Sequence, residues 1–473
     1  MDPLWQVLYI GLIIFIVLMI LFENRNPVKT MAWVLCVCFL PILGIVLYLF
    51  FGQNLRRMRL ISRRARKRLK RRPLQAYRRD SSPQSLTKIA DYAMRASGAL
   101  VFNNNQVEVF YDGYDFLRSL VLEIKKAKHH IHLQFYIWDD DAVGRLIRDL
   151  LIDKAKEGVV VRAIYDDVGS WHTGTCFFNE MKKNGIEVRP FMQVVFPLLT
   201  RKVNYRNHRK IVVIDGKVGF VGGMNIATRY LRGNPRIGDG WRDTHLLIRG
   251  KATYGLQTSF LTDWHFVCKN AVNYTPTDYF PTIPDSPTEQ AGIPIQIVTS
   301  DPMFEWKGIL GGILMAIYNA KQYIYLQTPY FLPTEPLLNA LQTAALAGVD
   351  VRLMIPHRSD SWLVALATNS YLKDVLRSGV KVYRYRAGFL HAKLLVSDDK
   401  FCTIGSSNLD FRSLEHNFEV NAFIYDPDFA CQQRDVFLHD MQRCRRIILR
   451  GWMRRPFMNR FIEQIMRLFS PLL

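Results

Sequence analysis

Two stretches of the sequence place a histidine and a lysine two residues apart within a largely apolar segment. The first, HRKIVVIDG, begins at His208 and includes Lys210, and the second, HAKLLVSDD, begins at His391 and includes Lys393. Side chains two residues apart on a β-strand point to the same face, so each stretch presents an imidazole beside an ammonium group. Because each stretch supplies only one such pair, we expect the two pairs to meet in one cleft and form a single site.

Each stretch extends into a longer motif, H-x-K-x-x-x-x-D, which is followed ten residues later by an asparagine. The aspartates are Asp215 and Asp398, and the asparagines are Asn225 and Asn408. Two lysines in one small volume favour an anionic ligand, and a phosphodiester fits because lysine and asparagine side chains hold its non-bridging oxygens. One neutral histidine would attack phosphorus, while the other, protonated, donates its proton to the departing alkoxide. The near-neutral pKa of histidine suits both tasks.

Two further carboxylates are predicted to orient the histidines. Asp243 in WRDTHLLI and Glu419 in NFEVNAFI occupy matching places after the two motifs, each in an alternating apolar segment typical of a neighbouring strand. Carboxylates that accept a hydrogen bond are usual behind catalytic histidines, so we expect both to bond the imidazoles. The alternative for each is a carboxylate on an exposed strand surface.

The motif aspartates are predicted to have a different role. Counted along a straight strand, Asp215 falls on the face opposite His208 and Lys210. Asp215 begins the hairpin-turn signal DGK, and its counterpart Asp398 begins DDK. We therefore predict that both aspartates set a hairpin turn and do not touch the phosphate.

A metal site is the main rival explanation for paired histidines. Lysine is a poor metal ligand, and the motifs carry no H-x-x-x-H pattern or cysteine cluster. His129, His130 and His132 do cluster, but glutamine and tyrosine occupy the equivalent positions of the second copy. We therefore predict no metal and no other cofactor, and we interpret these three histidines as residues at the start of a strand. The seven cysteines are interpreted as reduced packing residues.

The second half of the chain repeats the first. The block NHRKIVVIDGKVGFVGGMNIATR aligns without a gap with LHAKLLVSDDKFCTIGSSNLDFR, and three shorter blocks before it also match. Each copy is predicted to alternate strands and helices, with helices ending near Gly158 and Gly348, before a strand hairpin. This order is typical of an α/β fold. We expect two α/β/α lobes with mixed sheets, related by a pseudo-twofold axis.

The N-terminus carries two apolar runs, Leu4–Phe22 and Met31–Phe51, each close to the roughly 20 residues that span a bilayer as a helix. Eleven Lys and Arg residues, with no acidic residue among them, then lie between Arg56 and Arg72 and account for half of the formal charge of +22. The sequence therefore predicts a transmembrane helical hairpin whose basic tract lies in the cytoplasm and can hold anionic headgroups. A buried hairpin of a soluble domain and a re-entrant hairpin are the alternatives.

Two other segments fit a membrane partner. The insert PFMQVVFPLLT at 190–200 is unusually apolar for a loop, and it either lines a lipid entrance or packs in a core. The segment 444–473 mixes Arg with Trp, Phe, Ile and Leu at roughly helical spacing and predicts an amphipathic helix in a membrane interface, with a soluble packing helix as the alternative. The predicted domains are 1–55 for the hairpin, 56–104 for a basic juxtamembrane segment and linker, 105–275 for the first lobe, and 276–473 for the second lobe with this helix.

The paired H-x-K-x-x-x-x-D motifs resemble the signature of the phospholipase D superfamily. With NPVKTMAWVL, PILGIVLYLFFGQN, NYRNHRKIVVIDG and GWRDTH added, essentially the whole chain is similar to bacterial cardiolipin synthases of that superfamily. The resemblance implies transfer of a phosphatidyl group from one phosphatidylglycerol to another through a phosphatidyl-histidine intermediate, giving cardiolipin and glycerol. The catalytic residues that it implies are His208, Lys210, Asp215, His391, Lys393 and Asp398.

The implied partners are phosphatidylglycerol and other anionic phospholipids of the bacterial inner membrane, with the lobes in the cytoplasm. One alternative is a membrane-bound phospholipase D that hydrolyses phospholipids to phosphatidic acid, and another is a membrane-anchored phosphodiesterase or nuclease. A nucleic acid partner is not expected, because the excess charge lies beside the apolar runs and not in a groove with stacking aromatics. The nucleophilic histidine stays open, with His208 slightly favoured by the resemblance, as does assembly into a homo-oligomer.

Overall fold

The computed structural model divides the chain into two compact units. The described residues are 3–22, 27–48, 87–194, 204–233, 240–268, 276–283 and 292–471. The first unit comprises Met1–Leu60 with Val194–Asn204, and the second comprises Ile61–Gln193 with Tyr205–Leu473. The basic tract at 56–72 and most of the apolar insert at 190–200 lie outside the described residues, so the interpretations of both segments stay predictions.

Among its described residues, the first unit contains three helices near the N-terminus. They are Pro3–Leu21, Pro27–Phe39 and Pro41–Leu47. Proline lacks a backbone N–H and its ring collides with the carbonyl four residues earlier. Pro41 therefore begins a new helix and interrupts the run that was predicted as one helix from Met31 to Phe51. Among the described residues, no helix is both long enough and apolar enough to cross a bilayer, so the two predicted transmembrane helices are not found there.

The described residues of the second unit form one continuous sheet of 15 strands, accompanied by two short two-stranded ladders. In chain order the strands are β1 Val101–Phe110, β2 His130–Phe135, β3 Val160–Asp166, β4 Glu187–Phe191, β5 Ile211–Ile214, β6 Val218–Gly222, β7 Trp241–Arg242, β8 His245–Arg249, β9 Ile293–Ser300, β10 Tyr323–Gln327, β11 Phe331–Leu332, β12 Asp350–Pro356, β13 Lys381–Tyr385, β14 Phe389–Leu390, β15 Leu394–Ser397, β16 Phe401–Gly405, β17 Leu409–Asp410, β18 Glu419–Ile424 and β19 Cys444–Ile447.

The two lobes repeat the same strand order outward from the centre of the large sheet. From one edge to the other the order is β19-β13-β12-β10-β15-β16-β18-β9-β1-β8-β6-β5-β2-β3-β4. The two predicted lobes share this one sheet, because β1 and β9 pair antiparallel and join the two halves. This pairing satisfies the backbone groups that two free sheet edges would expose. The predicted mixture is confirmed, since β2, β3 and β4 are parallel and the hairpin strands are antiparallel.

Helices cover both faces of the sheet, as the α/β prediction requires. In the second unit they are Lys88–Ser97, Gly113–Lys126, Ala142–Lys156, Thr175–Lys183, Arg229–Arg232, Thr253–Cys268, Pro276–Tyr279, Gly308–Asn319, Glu335–Leu346, Trp362–Arg377, Phe411–Glu415, Pro427–Gln442, Leu449–Met453 and Phe457–Leu468. The predicted helix ends near Gly158 and Gly348 are confirmed, and both glycines adopt the left-handed conformation that glycine tolerates best, with φ of 89° and 93°. Large apolar clusters lie between helices and strands in each lobe.

The lobe boundaries differ from the predicted ones at both junctions. Residues 87–104, predicted as linker, hold a helix that begins after the Thr87 cap and packs in the same apolar cluster as the helix Gly308–Asn319. Residues 276–283 were assigned to the second lobe, yet Tyr279 bonds the guanidinium of Arg162 on β3 at 2.5 Å. The segment 276–283 therefore packs on the first lobe.

The two motif aspartates occupy equivalent hairpin turns. Asp215 accepts hydrogen bonds from the backbone N–H groups of residues 128, 129 and 130 at 2.8–2.9 Å, where β2 begins. Asp398 does the same for residues 321, 322 and 323 at 2.7–2.9 Å, where β10 begins. Both adopt a left-handed backbone, with φ of 52° and 51°. Each carboxylate thus ties a hairpin turn to the start of a neighbouring strand.

We expect Asp215→Asn to lower the free energy of unfolding by about 1–3 kcal/mol, because the charge that strengthens three N–H bonds is lost. Asparagine tolerates a left-handed backbone, so the substitution adds little strain. Thermal or denaturant unfolding of the purified variant measures the change, and Asp398→Asn is the matched substitution in the other lobe. Turnover per folded molecule should stay near the wild-type value. A variant of wild-type stability that lost turnover would argue for a direct catalytic role.

Candidate active site

The two histidine–lysine pairs converge at one cavity of about 300 Å³. His208 lies three residues before β5 and His391 three residues before β15, so equivalent strands of the two lobes present them. Both histidines line the cavity, together with Asn225 and Asn408. The sequence prediction that each motif supplies half of one site therefore agrees with this geometry.

Each catalytic segment is held in place by the opposite lobe. The backbone N–H of His208 donates to the carbonyl of Phe418, one residue before β18, at 2.9 Å. The backbone N–H of His391 donates to the carbonyl of Arg242 on β7 at 2.7 Å, and β14 runs parallel to β7 just before it. Residues immediately before each histidine thus pair with the segment that leads to the other lobe's carboxylate.

The carboxylates orient the histidines across the lobes. Nδ1 of His208 lies 3.0 Å from Oε1 of Glu419, and Nδ1 of His391 lies 2.5 Å from Oδ2 of Asp243. Both carboxylates are fully buried. An Nδ1–H that donates to a carboxylate leaves Nε2 of the same ring with its lone pair. Nε2 of each imidazole is therefore available as a nucleophile or a base.

Burial sets the protonation of the two imidazoles. It is the largest influence on His208 and lowers the pKa to about 4, with the charge of Lys210 adding to the effect and Glu419 opposing it. For His391, burial and the charge of Lys393 lower the pKa to about 3 against the opposing influence of Asp243. Both rings are therefore neutral at neutral pH.

The pKa values of the two carboxyl groups are lowered, which keeps both groups ionised. Burial alone would raise the pKa of Glu419, but His208, Lys210 and a hydrogen bond from Ser406 bring it below its ordinary value. Burial likewise acts to raise the pKa of Asp243, and the charge of Lys393 together with the hydrogen bond from His391 outweighs it and lowers the pKa. The two orienting groups therefore stay negative at neutral pH.

The two lysines lie behind the histidines. Nζ of Lys210 donates to the carbonyl of His208 at 2.7 Å, and Nζ of Lys393 donates to the carbonyl of His391. Both are buried, and neither is among the described residues that line the cavity. Burial lowers both pKa values, to about 8 for Lys393, with nearby carboxylates opposing the change. The lysines thus act on the cavity through charge and through the backbone, without forming its described wall.

The two asparagines line the cavity with different partners. Asn225 is fully engaged, because its Oδ1 accepts from the backbone N–H of Ile137 at 3.0 Å and its Nδ2 donates to the hydroxyl of Tyr230 at 2.6 Å. Asn408 donates through Nδ2 to Asp410 at 2.9 Å. Its Oδ1 is buried without a hydrogen-bond partner among the described residues. Among the described residues, the side-chain oxygen of Asn408 is therefore an unused acceptor, whereas that of Asn225 is already hydrogen-bonded.

Sequence reasoning missed three arginines that line the cavity. They are Arg206, Arg229 and Arg412. Arg229 and Arg412 are the last letters of the two aligned repeat blocks, so the repeat itself carried the signal for them. Arg206 has no arginine counterpart in the second copy, and its guanidinium lies 3.2 Å from the buried Asp166. The cavity is thus lined by more charged residues than the motifs alone indicated, since Asp360 and Asp410 line it as well.

The remaining candidate residues lie away from the cavity. The carboxylates of Asp215 and Asp398 bond backbone amides at the hairpin turns and are absent from the described lining of the cavity. His130 and His132 are buried against Gln257, whose side-chain atoms lie 3.2 and 2.8 Å from them. Within the described residues, no group of three or more His, Cys, Asp or Glu is arranged to hold a metal ion.

Two family models match the chain. The model of the cardiolipin synthase, PLD-like domain matches twice, at residues 120–247 and 313–441, so that each lobe carries one match. The model of the phospholipase D-nuclease N-terminal segment matches residues 7–53. The repeat inferred from the sequence therefore corresponds to two copies of one recognised domain.

Full-length relatives agree with these matches. The chain is 40% identical to the major cardiolipin synthase of Bacillus subtilis (strain 168) over 98% of this chain and 97% of the relative. It is also 40% identical to a cardiolipin synthase of Geobacillus kaustophilus (strain HTA426), over 99% and 94% of the two chains. A crystal structure of phosphatidylserine synthase from Haemophilus influenzae Rd KW20 shares the fold, with a TM-score of 0.60 at 14% identity over 82% of this chain and 98% of that one. The chain belongs to the cardiolipin synthases of the phospholipase D superfamily.

Proposed function

We propose that the protein transfers a phosphatidyl group from one phosphatidylglycerol to the headgroup hydroxyl of another, giving cardiolipin and glycerol. The observation that carries the proposal is the pair of histidines at one cavity, each hydrogen-bonded through Nδ1 to a carboxylate of the other lobe. Relatives named cardiolipin synthase, at about 40% identity over almost the whole chain, support this choice of substrate.

The first step exchanges a P–O bond for a P–N bond. Nε2 of one histidine attacks the phosphorus of the donor lipid, and the other histidine, protonated, gives its proton to the departing glycerol oxygen. The product is a phosphatidyl-histidine and free glycerol. The second histidine is now neutral, so it can remove the proton from the hydroxyl of the acceptor phosphatidylglycerol. The resulting oxygen attacks phosphorus, the P–N bond breaks, and cardiolipin forms without any nucleotide.

The charge of the substrate allows one imidazole to take up from solvent the proton that this sequence requires. Without that charge both imidazoles are neutral, since burial lowers the two pKa values to about 4 and about 3. A phosphodiester beside them favours the charged form of an imidazole and raises its pKa. Lys210 and Lys393 act on the same anion from behind the histidines. The acid is therefore made when the anionic lipid binds.

The C-terminal helix Phe457–Leu468 is proposed to rest in the membrane interface. Met458, Phe461, Ile465 and Leu468 follow helical spacing along one side and are 41–77% exposed. The opposite side packs on the helix Trp362–Arg377, partly through an ion pair between Arg467 and Asp374 at 2.8 Å. An apolar stripe with arginines nearby suits an interface rich in anionic lipid.

A further exposed aromatic side chain lies next to residues that line the cavity. Trp362, which begins the helix beneath the C-terminal one, is 71% exposed, and its neighbours Ser361 and Val364 line the cavity. We propose that lipids reach the histidines from this side. The N-terminal helices expose large apolar side chains as well, including Phe15, Phe39 and Ile42. We propose that they anchor the protein in the bacterial inner membrane, with the basic tract and the lobes on the cytoplasmic side.

Purified protein reconstituted with phosphatidylglycerol vesicles should form cardiolipin and release glycerol in equal amounts. Thin-layer separation of the lipids, with an assay for glycerol, measures both products. His208→Ala and His391→Ala should each lower the rate by at least about a thousandfold, because one supplies the nucleophile and the other the proton. Phosphatidic acid as the main product of the wild-type protein would show that the protein is a hydrolase and not a synthase. Wild-type rates in either variant would exclude a shared site.

Glu419→Gln should lower turnover by roughly 10³-fold, since the neutral amide no longer stabilises an imidazolium on His208 or enforces its tautomer. Asp243→Asn is the matched variant for His391. Because each carboxylate acts through its histidine, His208→Ala combined with Glu419→Gln should be no slower than His208→Ala alone. Steady-state rates of the single and double variants test this coupling. Additive losses would mean that Glu419 has a separate role.

The double variant Phe461→Ser/Leu468→Ser should slow cardiolipin synthesis on vesicles by at least about tenfold, because each apolar side chain withheld from the interface forgoes about 1.5–3 kcal/mol and about 1.4 kcal/mol corresponds to a factor of ten. The rate with short-chain phosphatidylglycerol below its micelle concentration should be unchanged. Leu346→Ser, which alters an equally exposed leucine on another helix, serves as the control. Equal losses on both substrates, or an equal loss in the control, would rule out membrane contact by this helix.

A further inference from the structure

The twin repeats place an arginine at the same position of each lobe, but the two arginines have different surroundings. Arg229 follows Asn225 by four residues, and Arg412 follows Asn408 by four. Both arginines line the cavity. The guanidinium of Arg229 forms an ion pair with Asp139. The side chain of Arg412 forms no ion pair and no hydrogen bond within the described part of the chain.

The strand pairing explains why Arg412 has no ion-pair partner among the described residues. Trp138 bridges Ile226 in the first lobe, and Phe331 pairs with Leu409 on β17 in the second. These two contacts are equivalent, so the residue after Trp138, Asp139, corresponds to Leu332. A leucine cannot neutralise a guanidinium. Leu332 lines the cavity as well, so Arg412 keeps its charge next to the space where substrate binds.

A second difference lies on the same side of the cavity. Oδ1 of Asn408 is buried without a hydrogen-bond partner among the described residues, while both polar atoms of Asn225 are engaged. A buried acceptor without a partner costs free energy, and a hydroxyl donor from a ligand would satisfy it. Among the described residues, Arg412 and Asn408 thus combine a guanidinium that has no ion pair, near Asp410, with an amide oxygen that has no hydrogen bond. Their counterparts Arg229 and Asn225 are both engaged.

We propose that Arg412 binds the phosphodiester of the acceptor lipid, the phosphate that does not react. The proposal rests on the proposed synthase function, in which two phosphodiesters occupy the cavity at once. The reacting phosphate lies between the histidines, and the acceptor's own phosphate lies three carbons away from the attacking hydroxyl. A guanidinium binds two phosphate oxygens in parallel. Oδ1 of Asn408 accepts from the free hydroxyl of the same glycerol headgroup.

The test compares two reactions of the same full-length protein on phosphatidylglycerol vesicles. The first is cardiolipin formation, which needs a phosphorylated acceptor. The second is incorporation of labelled glycerol into phosphatidylglycerol, in which free glycerol reverses the first step and the acceptor carries no phosphate. Arg412→Ala should lower cardiolipin formation by roughly tenfold to a hundredfold, the range expected for a lost hydrogen bond to a charged group, and change glycerol exchange by less than about threefold. Arg412→Lys should restore part of the cardiolipin rate.

Arg229→Ala is the matched control, since the equivalent arginine is already paired with Asp139. It should leave the ratio of the two reactions unchanged. An equal fall of both reactions in Arg412→Ala, an unchanged cardiolipin rate, or the same selective loss in Arg229→Ala would each overturn the proposal. If the alanine variant does not fold, Arg412→Gln is measured by the same ratio. Failure of the synthase function itself is separate, because wild type would then make no cardiolipin while still exchanging glycerol.

Discussion

The hydrogen bonds between each histidine and a carboxylate of the other lobe are the constraint on which the rest of the site depends. They require residues about 150 to 210 positions apart in the chain to lie within 2.5–3.0 Å. The β1–β9 pairing and the crossed backbone bonds at His208 and His391 hold the lobes in that register. Two buried carboxylates beside two buried lysines also restrict the site, because removing one member would leave an uncompensated charge in the interior. Neither lobe is therefore a working unit alone.

Much of this arrangement was accessible from residue types and spacing. The motifs gave the two histidine–lysine pairs, the internal repeat gave the two lobes, and strand counting gave the turn positions of Asp215 and Asp398. Asp243 and Glu419 were identified as partners of the histidines from their matching places in the repeat. The crossing of these partners between lobes could not be predicted, because an alignment shows which residues are equivalent but not which faces meet. The joining of two sheets at β1 and β9 escaped prediction for the same reason.

Other differences between the predicted and the observed structure arose although the sequence contained a signal for them. Pro41 interrupts the second apolar run. A count of apolar residues does not register that proline lacks the backbone N–H that a continuous helix needs. The lysines were expected on the cavity wall, but strand alternation places a side chain on a face and does not say whether that face is open or packed. Arg229 and Arg412 are identical residues at the last position of the two aligned blocks. Their difference arises from Asp139 and Leu332, which lie far from them in the chain and reach them only through β-pairing.

The single chain that carries both repeats has a consequence for symmetry. Two identical half-length chains around a twofold axis would place the same residue beside both arginines, so a carboxylate would neutralise both or neither. Covalent fusion allows the two copies to carry different residues at equivalent positions, as Asp139 and Leu332 do. A reaction that consumes two molecules of one lipid requires that one be cleaved and the other be kept whole. Twin histidines in unequal surroundings give the protein a means of telling two identical molecules apart.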